Sequence, residues 1–366
     1  MEMNAISEYY KDILSSSPDR LIVYAPSDQS GWGNKIRGFV SCFIIALATR
    51  RALVVDEPLI LDNFVPPDGI DWDSKPFRKI LRKKSVQKKL LATHALPDER
   101  NDGVWAAFSI KNFDELYPEQ IILHKDGTSI ADALIANPRY ADVWKACRID
   151  LSTRVTWHGV VTSYLLANPT KKLVQHYKSQ CHELLRHPER LKVGVQFRTF
   201  HDIGAPWMQY LGSFIQNVNQ KVLAPLRKAH PIVLFITTDN LPALEKMAEE
   251  MFGAGDIMVK SRKMFHTGTT NAGLLRILEK AMKKVHVIQR DFYLDFNRFL
   301  PKWLRYHRHL NILADWYALG ECDVIASTFT SFGAFAAART GNRAVLWKID
   351  IAEGYCGMLD DKHYSF

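Results

Sequence analysis

Short apolar segments rich in β-branched residues recur along this chain, and most of them run into a turn of glycine or small polar residues followed by a helical pattern. This alternation is typical of βα units, because two parallel strands need a long connection that is usually a helix. In the first half, it predicts strands at Leu21 to Ala25 and at Ala52 to Glu57, with a helix from about Asn34 to Arg50 between them.

The second half repeats the alternation more regularly. Strands are predicted at Lys192 to Phe197, Ile232 to Thr238, Asp256 to Lys260, Val285 to Ile288, Asp323 to Ser327 and Arg343 to Trp347. Helices are predicted at Met208 to Arg227, Pro242 to Phe252, Ala272 to Lys284, Ile312 to Gly320 and Phe332 to Arg339. We therefore expect an α/β protein with two Rossmann-like lobes and a cleft between them, whose ligand lies at the carboxyl ends of the strands. The predicted limits are residues 1–185 for the first lobe, 186–350 for the second and 351–366 for a tail.

The charge balance favours an anionic partner. The 366 residues carry a formal net charge of +9, and 47% of them are hydrophobic, which excludes a disordered chain. Eight lysines and arginines lie between Lys75 and Lys89, spaced so that Phe77, Ile80, Leu81 and Leu90 would share a helix face. A solvated amphipathic helix is the first interpretation of this segment, and docking to an acceptor or a surface is the second. No nucleic-acid partner is expected, because no recognition module accompanies the charge.

Two features predict a soluble, cytoplasmic protein. The longest apolar stretch, Phe39 to Ala48, is far shorter than the ~20 residues of a membrane span, and the first twenty residues lack the apolar centre of a signal peptide. The cysteines occur singly, without the paired spacing of a disulfide framework or a zinc site. We expect free thiols in a reducing compartment at Cys42, Cys147, Cys181, Cys322 and Cys356.

The first candidate site is the segment SGWGNKIRG, between the first strand and its helix. Gly31 and Gly33 let the backbone turn tightly, and the helix that follows offers unpaired N–H groups to an anion. Asn34 adds a polar group, while Lys35 and Arg37 add positive charge. A tight turn without a ligand is the alternative interpretation.

The second candidate site is the segment VGVQFRTFHD. Arg198 stands at the end of an apolar strand, where its guanidinium can bind a phosphate through two parallel hydrogen bonds. His201 and Asp202 follow in the loop. A surface arginine paired with a nearby carboxylate is the alternative.

Two further strand ends carry polar groups. In ITTDN, Asp239 is suited either to cap the following helix or to accept a hydrogen bond from a ligand, and Asn240 stands next to it. In DVIASTFTSFG, hydroxyls precede a helix of small residues, and hydroxyls with backbone N–H groups at a helix start can hold an anion. The residues concerned are Ser327, Thr328, Thr330, Ser331 and Gly333.

Taken in order, these segments resemble the fucosyltransferase superfamily, and most closely its plant branch, the xyloglucan α1,2-fucosyltransferases. GWGNKIRG is similar to the glycine-rich opening segment of that branch, LLANPTKKL to its NPT segment, VGVQFRTF to its arginine motif, and STFTSFG to its STFG motif. The resemblance covers residues 30–57, 165–240 and 311–347.

The resemblance implies a GT-B fold and an inverting, metal-independent glycosyltransferase. It implies transfer of L-fucose from GDP-β-L-fucose to a glycan hydroxyl, such as O2 of galactose, without a cofactor. Arg198 matches the arginine that holds the β-phosphate, and Asp315 matches a carboxylate of the donor pocket. The other implied donor-binding residues are Gly31, Gly33, Asn34, Arg37, Asp239, Asn240, Thr328, Thr330 and Ser331.

The chain also departs from the family pattern. Gln196 stands where the core-glycan α1,6 branch has histidine, although the plant branch has glutamine there, and Asn240 replaces a second acidic residue. Pro206 occupies the position where the α1,6 branch has a proposed catalytic base, so Asp202 or His201 is the nearest candidate base. A dissociative mechanism without a dedicated base is equally open.

Other interpretations remain open at this point. Asp71-Trp72-Asp73 has the form of a metal-binding DxD motif but does not follow an apolar strand, and His307 and His309 could bind a metal together only in an extended segment. A different nucleotide-sugar donor would keep the fold and change the substrate. A catalytically silent glycan-binding protein would lack nucleotide binding altogether.

Overall fold

The structure is a computed structural model. It describes residues 2–16, 19–26, 31–68, 70–72, 75–82, 88–91, 107–125, 130–152, 154–198, 207–238, 241–260, 302–328, 330–341, 344–350 and 355–358. The chain divides into two compact units. The first comprises residues 1–172, 334–343 and 360–366, and the second comprises residues 173–333 and 344–359.

The first unit is built on a parallel sheet of four described strands. Its strands are β1 (Leu21–Tyr24), β2 (Ala52–Val55), β3 (Lys88–Leu90) and β4 (Ile121–His124), in the spatial order β2-β1-β4-β3. Its longer helices are α1 (Glu2–Ser16), α2 (Trp32–Thr49), α4 (Lys75–Arg82) and α8 (Arg154–Leu166). Shorter helices are α3 (Pro58–Leu61), α5 (Phe113–Leu116), α6 (Ala131–Ala136) and α7 (Ala141–Ala146), with a 3-10 turn at Pro138–Tyr140.

The apolar helix α2 is buried along nearly its whole length. Along it, only Asn34 and Arg37 are not buried. The helix ends where Arg50 adopts a left-handed conformation with φ of 52° and donates its N–H to the Ala46 carbonyl. An apolar helix buried on nearly all sides takes its stability from burial, so this segment fixes where the first strand and its turn can lie.

The basic segment forms a shorter helix than its spacing predicts. Phe77, Ile80 and Leu81 of α4 pack on the core of the sheet, as expected. Leu90 instead lies in strand β3 and is 50% exposed, so its predicted place on the helix is wrong. The last two lysines of the basic segment lie in this strand, at the edge of the described sheet. Lys88 is exposed there, and an exposed lysine on an edge strand discourages pairing with another chain.

The second unit is built on a larger sheet. Its strands are β5 (Leu191–Phe197), β6 (Ile232–Thr238), β7 (Ile257–Lys260), β8 (Val324–Ser327), β9 (Val345–Asp350) and β10 (Tyr355–Met358), in the spatial order β10-β9-β8-β5-β6-β7. All neighbouring pairs are parallel except β10 with β9. The helices are α9 (Lys171–Gln180), α10 (His182–Arg186), α11 (Leu211–Asn217), α12 (Ala224–Ala229), α13 (Leu241–Met251) and α14 (Lys302–Gly320). A further helix, α15 (Ser331–Arg339), begins in this unit, and its residues from 334 onward belong to the first unit.

Helices cover both faces of this sheet. Val193, Val195 and Phe197 point to one face and pack in the core with α11 and α13. Gly194 points to the other face, where an added Cβ would lie 2.5 Å from the Leu319 side chain of α14. Successive residues of a strand face opposite ways, so this alternation identifies the doubly wound arrangement that the sequence predicts.

Further sequence predictions differ from the structure or lie outside the described residues. Helix α14 begins at Lys302, ten residues before the predicted start at Ile312. Strand β10 lies in the segment predicted as a tail. The predicted helix at Ala272 to Lys284 and strand at Val285 to Ile288 lie outside the described residues.

Candidate functional site

Four buried polar side chains form a row across the carboxyl ends of the second sheet. In the strand register Gln196 of β5 lies between Thr237 of β6 and Ser327 of β8, and Ser327 lies beside Lys348 of β9. Gln196 is 4% exposed, and the other three are also buried. Burying a polar group is unfavourable unless it is hydrogen-bonded. We therefore expect these side chains to belong to a hydrogen-bond network at this end of the otherwise apolar sheet.

The side-chain oxygen of Gln196 is the centre of that network. It accepts a hydrogen bond from the Thr330 hydroxyl at 2.9 Å, and the Ser327 hydroxyl also contacts it. Ser327 Oγ lies 2.6 Å from the Thr328 carbonyl as well, so its single proton has two acceptors within reach. The network joins strand β5 to the loop between β8 and α15.

Arg198 stands beside the same loop. Its backbone N–H donates to Thr328 Oγ1 at 3.0 Å, and the Thr328 N–H donates to the Gln196 carbonyl at 3.0 Å. The backbone pairing of β5 with β8 thus continues to Thr328, one residue past the end of β8, and the Thr328 hydroxyl holds the backbone of the half-buried Arg198. Arg198 and Thr328, predicted from separate motifs, are neighbours.

Helix α15 begins at this point, and its first turn lies close to the sheet. An added Cβ at Gly333 would lie 2.6 Å from Ser327 Oγ and 3.3 Å from Gln196 Oε1, so the position has no room for a side chain. Thr330 Oγ1 lies 3.5 Å from the Gly333 N–H, in the manner of a helix cap. Ser331, also predicted for the donor site, is the first residue of the helix and is half-buried.

The predicted carboxylate Asp315 lies on helix α14, beside the carboxyl end of strand β6. It is 6% exposed on α14, and its Oδ2 accepts a hydrogen bond from the buried Thr237 hydroxyl at 3.3 Å. Asp315 is therefore brought to the same edge of the sheet as Gln196. Asp239 and Asn240 lie outside the described residues, as do His201 and Asp202.

The glycine-rich segment lies in the first unit. Gly31 precedes α2 with φ of −65° and makes no side-chain cap, and an added Cβ would have nothing within 4 Å. Its surroundings are open, so neither backbone strain nor a crowded neighbour requires a glycine there. Gly33 is buried in the first turn of the helix, and the exposed Asn34 accepts a hydrogen bond from Arg37 Nη2 at 3.3 Å.

The expectation that Lys35 offers charge to a ligand is wrong. Its ammonium bonds Glu57 Oε2 at 2.7 Å, and the two side chains are only 7% and 5% exposed. Glu57 also caps α3 by accepting a hydrogen bond from the Leu59 N–H. The pair is buried and mutually neutralised, so it ties the start of α2 to the segment after β2.

The DxD segment has a structural role through its middle residue. Trp72 is 1% exposed, packs edge-on against Phe39 at 5.3 Å between ring centroids, and accepts the Val55 N–H through its carbonyl. His307 and His309 lie in the helix α14, not in an extended segment. Among the described residues, no three His, Cys, Asp or Glu side chains are grouped as a metal site would require.

Four of the five cysteines are buried free thiols. Cys42, Cys147, Cys181 and Cys322 are free thiols, and burial raises the pKa of the Cys147 thiol to about 12. Within the described part of the chain, no helix combines the length and the apolar character needed to cross a membrane.

Of this polar row only Ser327 was predicted as a site residue, although the sequence carries a signal for its neighbours. β6 and β8, and β5 after Lys192, are apolar until near their carboxyl ends, where each has a buried polar residue: Gln196, Thr237 and Ser327. Only the strand order, which brings residues 131 positions apart into contact, shows that these ends form one network.

Comparison with known proteins supports the fold. No protein-family model matches the sequence, and no curated protein is found to be related to it. An arginine-to-lysine mutant of Arabidopsis thaliana FUT1 in complex with GDP is similar to this chain with a TM-score of 0.61 at 16% identity, over 96% of this chain and 76% of that one. The α-1,6-fucosyltransferase NodZ from Bradyrhizobium, soaked with GDP-fucose, has a TM-score of 0.54 at 13% identity, over 94% and 99% of the two chains. This chain is therefore an α/β protein with the GT-B fold of these fucosyltransferase structures.

Proposed function

We propose that this protein is an inverting glycosyltransferase that transfers L-fucose from GDP-β-L-fucose to a hydroxyl group of a glycan acceptor, with O2 of a galactose as the first candidate. The second unit would take the donor and the first would take the acceptor. The observation that carries the proposal is the position of Arg198 beside the hydroxyl loop of Thr328 and Thr330, at the carboxyl ends of parallel strands. Ligands of doubly wound sheets bind at that edge.

The chemistry of this reaction matches the groups that meet there. Departure of GDP leaves an oxocarbenium-like sugar and builds negative charge on the diphosphate. A guanidinium at Arg198 and the N–H groups at the start of α15 are suited to stabilise that charge. The two fucosyltransferase structures of the same fold were obtained with GDP and with GDP-fucose, which supports this donor.

The proton of the acceptor hydroxyl needs a destination. Asp202 and His201 follow Arg198 closely in the sequence and are the proposed bases. A dissociative reaction, in which the hydroxyl loses its proton late, needs only a weak base and is the alternative. In either case the proposed site uses fixed cationic and N–H groups for the diphosphate, and no metal ion is part of the proposal.

The compartment is also a proposal. Four buried free thiols are what a reducing compartment such as the cytoplasm would maintain. Mass spectrometry of the natively purified protein should find every cysteine reduced, and a stoichiometric disulfide would contradict this part of the proposal.

A nucleotide panel followed by a turnover assay tests the function. GDP at 100 times its dissociation constant should stabilise the protein by about 2.7 kcal/mol, because a ligand that binds only the folded state shifts the unfolding equilibrium. UDP at the same concentration should have a smaller effect. GDP should then be released from GDP-fucose faster with a galactose-terminated acceptor than without it, and EDTA should not abolish turnover.

Each rival interpretation gives a different result. Stabilisation by UDP but not GDP would indicate another nucleotide-sugar donor. The absence of any nucleotide effect would favour a silent glycan-binding protein. Loss of turnover in EDTA, restored by manganese, would contradict the metal-free reaction.

A further inference from the structure

A single buried side chain links the two parts of the proposed donor site. Gln196 is 4% exposed, and its side-chain oxygen faces the loop that leads into α15. Two residues further on is Arg198, whose N–H is held by Thr328 of that loop. The amide of Gln196 therefore contacts the proposed hydroxyl cradle, and its strand leads directly into the proposed phosphate-binding arginine.

The direction of the hydrogen bonds shows what this amide does. Thr330 Oγ1 has one proton and lies 2.9 Å from Gln196 Oε1, an atom that can only accept. The proton of Thr330 therefore points to Gln196, and its lone pairs remain available to the Gly333 N–H at 3.5 Å. Gln196 thus orients the hydroxyl that caps the first turn of α15.

Gly333 makes this arrangement sensitive to small displacements. Ser327 Oγ and Gln196 Oε1 occupy the space where a Cβ would stand, at 2.6 Å and 3.3 Å. The helix start consequently lies against the amide without an intervening side chain. A change in the position of the amide must be transmitted to the N–H groups of the first turn.

We propose that Gln196 is a positioning residue of the donor site, which holds Thr330 and the start of α15 in register with Arg198 so that both can contact the same diphosphate. This inference rests on the proposed function, since it names how that site is assembled. Without the amide, Thr330 loses the partner that fixes its proton, and the cap of α15 weakens. The diphosphate would then meet a mobile helix start.

A double-mutant cycle on GDP affinity tests the inference. Gln196→Met keeps the length of the side chain and removes its acceptor, and Thr330→Val removes the hydroxyl with little change of shape. Each variant should weaken GDP binding about tenfold by calorimetry, the loss of about one buried hydrogen bond. The double variant should be little weaker than either single one, because both changes break the same interaction. Thr340→Val, just past the other end of α15, removes a hydroxyl that donates to the Ala337 carbonyl at 2.9 Å, and this variant should bind GDP as wild type does.

The outcomes separate the inference from the function. If wild-type protein binds GDP and folded Gln196→Met binds it equally well, or if the two effects multiply, the inference is wrong and the function stands. If wild-type protein does not bind GDP, the proposed function fails and the inference with it. If Gln196→Met does not fold, Thr330→Val and Thr330→Ser carry the test. Serine should restore the GDP affinity that valine loses, and equal affinity of the two would overturn the proposal.

Discussion

Replacement of Arg198 by alanine is the most direct test of the proposed donor site. At a separation of about 4 Å and an effective dielectric constant of about 20, a unit positive charge stabilises a unit negative charge by about 4 kcal/mol. In other enzymes, removing a group that is fixed in place to stabilise the charge of the transition state lowers the rate by about 10²–10³-fold. We therefore expect Arg198→Ala to lower kcat by about that factor rather than only to raise KM, because the charge on the diphosphate is greatest in the transition state.

The structure predicts that this substitution leaves the fold intact. The 3.0 Å hydrogen bond from Arg198 to Thr328 uses the backbone N–H, which alanine retains. Arg198→Lys keeps the charge but loses the planar pair of donors, and should recover only part of the activity.

Arg190 is the matched control for Arg198. It precedes the opposite end of β5, where Nη1 bonds the Gly255 carbonyl at 2.7 Å. The two arginines are eight residues apart, about 26 Å along an extended strand, which exceeds the screening length of about 8 Å at physiological ionic strength. Arg190→Ala should therefore leave turnover unchanged. Wild-type turnover by Arg198→Ala, or an equal loss in both variants, would refute the electrostatic argument.

Three further predictions follow from the first unit. Lys35→Met or Glu57→Gln should each lower the free energy of unfolding by about 3 to 5 kcal/mol in urea denaturation, because each leaves a buried group without its partner. A variant in which both residues are replaced by apolar ones should be more stable than either single variant. Equal instability of the double and single variants would contradict this reasoning. Gly31→Ala should leave the melting temperature unchanged but weaken GDP binding if the donor approaches that backbone. Gly212→Ala is the control, because Gly212 is also in open space but lies within α11. It should stabilise the protein by about 0.5 to 1 kcal/mol and leave the affinity for GDP unchanged. Burial raises the pKa of the Cys147 thiol to about 12 from 9.0, so the folded state favours the neutral thiol. The stability that this thiol contributes is therefore lost as the pH rises above about 9. When unfolding is measured from pH 8 to 10, the free energy of unfolding should depend less on pH in Cys147→Ala than in the wild type.

The fold was predictable where local pattern and burial agree. Helix α2 and strand β5 are long apolar segments with clear ends, and both occur within two residues of their predicted limits. Strand β3 was missed because its three residues, two of them lysine, lack the apolar character of a buried strand. Strand β3 forms by pairing with the edge of β4, and this pairing depends on tertiary structure that the local sequence does not show.

The site was predictable to the level of its motifs but not of its contacts. The sequence marks strand ends that carry Arg198 and Thr328, yet their adjacency depends on the order β8-β5-β6, which local spacing does not encode. The interpretation of Lys35 was wrong because its partner, too, is distant in the sequence. Its charge looks available in the helix start, and the carboxylate that neutralises it comes 22 residues later. The catalytic and donor-binding roles themselves stay predictions.

Helix α15 also has a consequence for how the chain is made. Residues 334–343 count with the first unit, where Phe335 packs edge-on against His158 with ring centroids 5.5 Å apart. The main part of that unit ends at residue 172, so more than 160 residues must be translated before residues 334–343 exist. At about 5 to 20 residues per second this takes about 8 to 32 s, during which the surface that receives Phe335 has no native cover. The part of the protein that leaves the ribosome first is therefore among the last to be completed.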